Sequence, residues 1–166
     1  DTLDFSGIEP GRLELEVTES LLITDTDKVL AQLMAIKSLG VSVALDDFGT
    51  GYSSLAYLWR FPFDKLKVDK SFMTALSEVG GRSREILSTI IALGKVLDLK
   101  VTAEGVETEE QARILRELRC DLVQGYLFGR PMRARDLDEV IARGTSGKWP
   151  APRALDAYRA DQRGAA

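Results

Sequence analysis

Five short apolar runs recur along this chain at helix-length intervals, and each ends in polar groups that a packed core would not choose. Leu13 to Thr18 carries Glu16 and is followed by Glu19 and Ser20. Val41 to Leu45 stops at Asp46 and Asp47. Leu66 to Asp69 carries Lys67, Lys100 to Gly105 reaches Glu104 with Glu107 just beyond, and Leu122 to Tyr126 carries Gln124. Along Glu16, Asp46, Asp69, Glu104 and Gln124 the successive gaps are 30, 23, 35 and 20 residues, room for one helix per step. Strand and helix alternating at this period predict parallel βαβ units. Polar groups gathered at the C-terminal ends of parallel strands fit a barrel or an open doubly wound sheet.

The segments between these runs are helical in pattern. Asp25 or Asp27 can cap a helix running to about Leu39, with Val29, Leu30, Leu33, Ile36 and Leu39 near the i, i+3, i+4, i+7 positions and Gly40 to end it. Ser83 to Leu97 has the same spacing, which predicts one face made of Ile86, Ile90, Leu93 and Leu97. Thr108 followed by Gln111 is a capping box, opening a helix that carries Ala112, Leu115 and Leu118. Asp136 to Arg143 reads as a last short helix with Leu137, Val140 and Ile141 apolar.

The stretch from Val41 to Leu55 carries the most chemistry. Two adjacent acids close a strand-like run, and each costs free energy in a core unless paired, solvated or bound to a cation. Successive strand residues point to opposite sides, so Asp46 and Asp47 share a site only if the chain turns there. The glycines at 49 and 51 permit such a turn. Hard oxygen ligands at a strand end suit Mg²⁺, Mn²⁺ or Ca²⁺; a solvated turn with a helix cap is the alternative for this segment alone.

Composition narrows the classes. The hydrophobic fraction is 45% and the charged fraction 29%, as in compact soluble domains, and the longest apolar runs are too short to span a membrane. The net charge of −4 argues against generic DNA or other nucleic-acid binding. A single cysteine, Cys120, precludes an internal disulfide and reads as packing. With no histidine in the chain, acid–base chemistry has to run through carboxylates, lysine or metal-bound water.

Taken together, Leu13-Glu14-Leu15-Glu16-Val17-Thr18-Glu19-Ser20, Asp46 to Leu55 (Asp-Asp-Phe-Gly-Thr-Gly-Tyr-Ser-Ser-Leu), Lys67-Val68-Asp69, Ala103-Glu104-Gly105-Val106-Glu107 and Gln124-Gly125-Tyr126 resemble the ordered motifs of EAL domains. The match runs from about Leu13 to Pro131 and through the terminal helix, so residues 1–144 resemble the C-terminal two-thirds of such a domain. Residues 145–166 read as a tail, with room for a short helix around Leu155 and Tyr158. The resemblance implies a modified (β/α)₈ TIM-type barrel, of which this chain holds about five strands. It implies hydrolysis of cyclic di-GMP to linear pGpG by the parent domain, or, as the alternative, a catalytically inactive cyclic di-GMP receptor or dimerisation module.

Site roles follow from the same resemblance. Glu16, Asp46, Asp47, Asp69 and Glu104 would hold two divalent cations, Mg²⁺ or Mn²⁺, with Ca²⁺ inhibitory. Lys67, Glu104 and Glu107 form the catalytic set, Lys67 orienting the attacking water or stabilising negative charge. Glu19 would anchor the loop after Asp47. Gln124 would support the metal ligands and, with Arg130 and Pro131, meet the substrate. No such role maps to Glu14, and Tyr57, Trp59, Phe61 and Phe63 read as core and interface packing. The implied partners are cyclic di-GMP and a second copy, joined through the Asp47–Leu55 loop and the helix after it. Cytoplasmic localisation is implied too, with sensor or GGDEF domains and any membrane anchor left to upstream segments. The family's Glu-Ala-Leu motif, an asparagine on its third strand and an arginine after its early strand have no counterpart here. A complete barrel takes about 250 residues and seldom under 200, so this chain of 166 is expected to be part of a longer protein and inactive alone.

Overall fold

The computed structural model describes residues 2–50, 55–76 and 82–145. The expected tail from residue 146 on, and residues 51–54 of the loop after Asp47, lie outside the described residues. Five strands, β1 (Glu14–Thr18), β2 (Ser42–Phe48), β3 (Lys65–Val68), β4 (Lys100–Ala103) and β5 (Leu122–Val123), form one parallel sheet in chain order. The helices are α1 (Thr2–Ser6), α2 (Glu19–Thr24), α3 (Thr26–Ser38), α4 (Leu55–Arg60), α5 (Ser71–Leu76), α6 (Ser83–Val96), α7 (Glu109–Glu117) and α8 (Ala134–Thr145). Each step from strand to strand carries at least one helix, as the motif spacing requires. The short helices α2 and α5, each directly following a strand, have no clear periodicity and escape the sequence reading.

Local signals set the helix boundaries. Asp25 caps α3 by accepting from the Lys28 amide at 3.3 Å, and Thr108 with Gln111 forms the complete capping box of α7. The Gln111 side chain does more than cap. Its amide nitrogen donates to the Met73 carbonyl at 2.9 Å, tying α7 to α5. The expected face of α6 is turned by one position: Leu87, Ile90, Ile91 and Gly94 are buried, whereas Ile86 is 48% exposed. Leu93 and Leu97 pack at the margin. Because Ile86, Leu87, Ile90, Ile91 and Leu93 make a broad apolar arc, spacing alone does not fix which edge of it is buried.

Alternation along the strands separates two faces. Val43, Leu45, Leu66, Val68, Val101 and Ala103 are at most 2% exposed and meet Leu33 of α3, Leu87 and Ile91 of α6 and Leu115 of α7. The opposite face carries Glu14, Glu16, Asp46, Lys65, Lys67 and Thr102. Glu14 pairs with Lys65 at 2.6 Å, so the acid without a family role is a structural partner. Cys120 is buried beside the Val101 and Leu122 carbonyls, and burial pushes its thiol up to about 11, consistent with packing rather than nucleophilic work.

The N-terminal ends of the strands repeat one device. Asp64, just before β3, accepts from the Val43 amide at 2.8 Å and pairs with Lys37; Asp121, just before β5, accepts from the Val101 amide at 3.0 Å and pairs with Lys100. Each carboxylate satisfies an amide of the preceding strand that the ladder leaves unpaired. Asp64→Ala is expected to lower unfolding free energy by about 2 kcal/mol, because a part-buried amide then lacks its acceptor. Urea denaturation of the intact domain measures it, and a loss confined to the level of a surface ion pair would show the amide is satisfied otherwise.

Candidate active site

Strand β2 solves the problem of two adjacent acids with a bulge. Leu45 pairs with Leu66 and Phe48 with Val68, so three steps on β2 match two on β3. Leu45 and Phe48 lie an odd number apart yet both are buried, at 2% and 6% exposed. The extra residue leaves Asp46 and Asp47 at one site, with Asp47 in the left-handed region at φ +55°. Aspartate tolerates that conformation better than most side chains. The turn continues as the Thr50 amide and hydroxyl both donate to the Asp47 carbonyl, at 3.2 and 2.9 Å. Gly49 follows at φ +97°, where a Cβ would fall 2.5 Å from the Phe72 ring.

Carboxylate oxygens of Asp46, Asp47 and Glu104 lie within 4.8 Å of one another. Lys67, 6% exposed on β3 between β2 and β4, sends its ammonium into this group: Nζ is 2.6 Å from Glu16, 2.9 Å from Asp46 and 2.9 Å from Glu104. Three carboxylates thus contact one ammonium, with Asp47 beside two of them. Burial by itself would lower the Lys67 pKa, but bonds to Glu16, Glu104 and Asp46 and the charge of Glu104 outweigh it and hold the ammonium protonated well above the usual lysine range. Asp46 Oδ1 is buried without an aligned hydrogen-bond donor, and the ion pair with Lys67 is its compensation. Three carboxylates with oxygens this close together are a donor set that fits a hard divalent cation.

The remaining expected residues divide. Asp69 is outside the three-carboxylate group: its Oδ1 accepts from the Ser71 amide at 2.9 Å at the start of α5. Burial would raise its pKa, yet the Ser71 hydroxyl and amide and the nearby Lys70 hold it below the usual carboxylate range. The exposed Glu107 is held by its backbone, which donates to Gln111 Oε1 at 2.8 Å. Gln124 locks in through its main chain, donating to the Ala103 carbonyl and accepting from Val106, while its side chain is exposed. Gly125 makes this possible, since a Cβ there would sit 2.1 Å from the Val106 carbonyl oxygen. Arg130 and Pro131 are exposed, and the Arg130 guanidinium stacks 4.4 Å over the Tyr126 ring. Glu19 begins α2 half-buried, and residues 51–54 of the loop it is expected to anchor are outside the described residues. Thr102, which no sequence motif marks, is 6% exposed, pairs with Lys67 in the β3–β4 register and places a buried hydroxyl on the same face.

A parallel sheet wrapped by helices, with acids and a lysine at the C-terminal ends of its strands, is the layout of a TIM-type barrel site. The chain belongs to the EAL domain family, whose profile matches residues 1–131. It is 50% identical over 139 residues to the cyclic di-GMP phosphodiesterase NbdA of Pseudomonas aeruginosa, covering 84% of this chain and 18% of that protein. The structure superposes on the PaMucR phosphodiesterase–c-di-GMP complex with a TM-score of 0.76 at 47% identity, over 81% of this chain and 54% of the other. Against the manganese/cy-diGMP complex of Klebsiella pneumoniae BlrP1 the TM-score is 0.73 at 38% identity, over 79% and 33%. The chain therefore spans about a fifth of the curated relative it matches and is the corresponding part of a TIM-type barrel.

The left-handed turn gives a test that does not depend on catalysis. Asp47→Asn is expected to leave stability nearly unchanged, whereas Asp47→Val costs about 1–2 kcal/mol more, since a β-branched residue resists positive φ. Denaturation of the two variants side by side checks this; equal stabilities would mean the turn is not held at that φ.

Proposed function

We propose that the intact domain carrying this chain hydrolyses cyclic di-GMP to linear pGpG with the help of two divalent cations, Mg²⁺ or Mn²⁺. The observation that carries this reading is the convergence of Glu16, Asp46 and Glu104 on Lys67, with Asp47 beside Asp46 and Glu104, at the mouth of the sheet. Relatives named as cyclic di-GMP phosphodiesterases support the substrate, and a neighbour solved with manganese supports the metal.

Glu16, Asp46, Asp47 and Glu104 would hold the ions, with Asp69 beside the second. When bound, such a pair neutralises the phosphodiester and lowers the pKa of the attacking water. The chain's own residues do the rest. Lys67, fixed on a central strand, stays protonated and can orient water or meet negative charge developing on phosphate. The reaction forms one water O–P bond and breaks one ribose O–P bond, opening the cyclic dinucleotide. Arg130, held over Tyr126, and the exposed Gln124 lie on the C-terminal side of β5, where a nucleotide would be met. Dimerisation is part of the proposal. Leu55 and Trp59, one turn apart on α4, are 59% and 72% exposed and give the helix after the Asp47 loop an apolar outer face.

Asp46→Asn is expected to reduce turnover by more than about 100-fold, beyond the loss typical of a merely supporting group. Activity should need Mg²⁺ or Mn²⁺, disappear with chelator, and fall when Ca²⁺ replaces them, because looser coordination misplaces the water. Separating pGpG from substrate by chromatography reads all three. Undiminished turnover by the Asp46 variant would sink the two-metal reading.

A further inference from the structure

Three of the four acids in the site spend their charge on Lys67. Its ammonium contacts Glu16, Asp46 and Glu104 at 2.6, 2.9 and 2.9 Å. Two of those acids, Asp46 and Glu104, are also the ones whose oxygens gather with Asp47 into the group suited to a cation. The same two carboxylates therefore serve both groups, and an ion gathered by them meets a resident positive charge. Lys67 is nearly buried on a strand paired on both sides, so its stem has little freedom to withdraw, whereas Nζ at the end of four methylenes can shift locally.

We propose that Lys67 is the counter-cation of the metal-free site: it holds Glu16, Asp46 and Glu104 together before a metal arrives, and releases Asp46 and Glu104 as a divalent ion binds. The inference rests on the two-metal reading above and adds a competition within it. Without the ammonium, four carboxylates at one strand mouth would repel one another and splay. With it they stay gathered, at the cost of metal affinity, since each incoming ion has to take ligands from a resident charge. The backbone positions of Asp46 and Glu104 are fixed by β2 and β4, so removing the ammonium removes the competitor more than it removes the ligands.

The test uses the full-length protein, substrate-free, with Mn²⁺ alone as the probe. Calorimetric titration compares wild type with Lys67→Met, which keeps the length of the side chain and deletes its charge. Lys67→Met is expected to bind the first Mn²⁺ about ten-fold tighter or more, to melt lower than wild type without metal, and to regain more of its melting temperature on adding Mn²⁺. A lysine that merely packed, or merely shaped the ligands, would leave affinity unchanged or weaken it, and either result in a folded variant overturns the displacement while leaving the two-metal reading intact. Failure of both proteins to bind Mn²⁺ overturns the two ideas together. Should Lys67→Met not fold, wild type decides: the Lys67 ammonium signal in ¹⁵N NMR is expected to move on titration with diamagnetic Mg²⁺, and an unmoved signal at saturation refutes release.

Discussion

Three carboxylates at the mouth of a parallel sheet close on one ammonium, and a fourth lies beside them. Lys67 sits on β3 between β2, which carries Asp46, and β4, which Glu104 directly follows, with Glu16 reaching in from β1. The consequences run outward in both directions. Toward the core, β3 has to present Leu66 and Val68 to the helices at 0% exposure, which fixes its pleat and points Lys67 to the other side. Toward the mouth, the acids have to arrive from three strands at one height, and this is what the register and the β2 bulge provide. The raised pKa of Lys67 has a definite sign in stability: its contribution is fully present below the unfolded lysine value and lost only as pH climbs through the folded one. The ion-pair hub is therefore intact across the neutral and moderately alkaline range.

The bulge is the second constraint. Without its extra residue, keeping Leu45 buried would drive Phe48 to the polar face and split Asp46 from Asp47. Gly49 then lets the chain pass close beneath Phe72 of α5, and Gly125 lets the segment after β5 press on Val106 after β4. These close approaches join the strand-end loops into one packed rim. The rim carries the polar groups, while the strands beneath carry the core.

Much of this was legible in the residues themselves. The period of the motifs gave the alternation of strand and helix, Thr108 announced its cap, Asp25 was one of two candidates for the other, and the pair Asp46-Asp47 could share a site only through a turn, which is a bulge. Other parts were not. The phase of α6 escaped because Ile86, Leu87, Ile90, Ile91 and Leu93 leave too little polar surface to orient it. The Glu14–Lys65 pair and the place of Thr102 depend on strand register, which no local pattern encodes. Asp69 is the open case: its motif resembles a metal ligand's, and its Oδ1 accepts from the Ser71 amide. A carboxylate has two oxygens, so the amide bond at one does not decide the role of the other.

The two ends of the sheet divide the work between them. At the N-terminal ends, Asp64 and Asp121 each accept from a strand amide and pair with a lysine, so both charges are spent on the fold. At the C-terminal ends the acids outnumber the cation, and Asp46 Oδ1 is buried without an aligned donor. The same residue type thus stabilises at one end and stores unmet charge at the other. A carboxylate that shares one ammonium with two others is only partly compensated and costs folding free energy, and it persists here because the packed strands below over-determine its position. That cost is recoverable only by binding something positive, which is why the arrangement at the mouth reads as a ligand site while the same residues at the base read as structure.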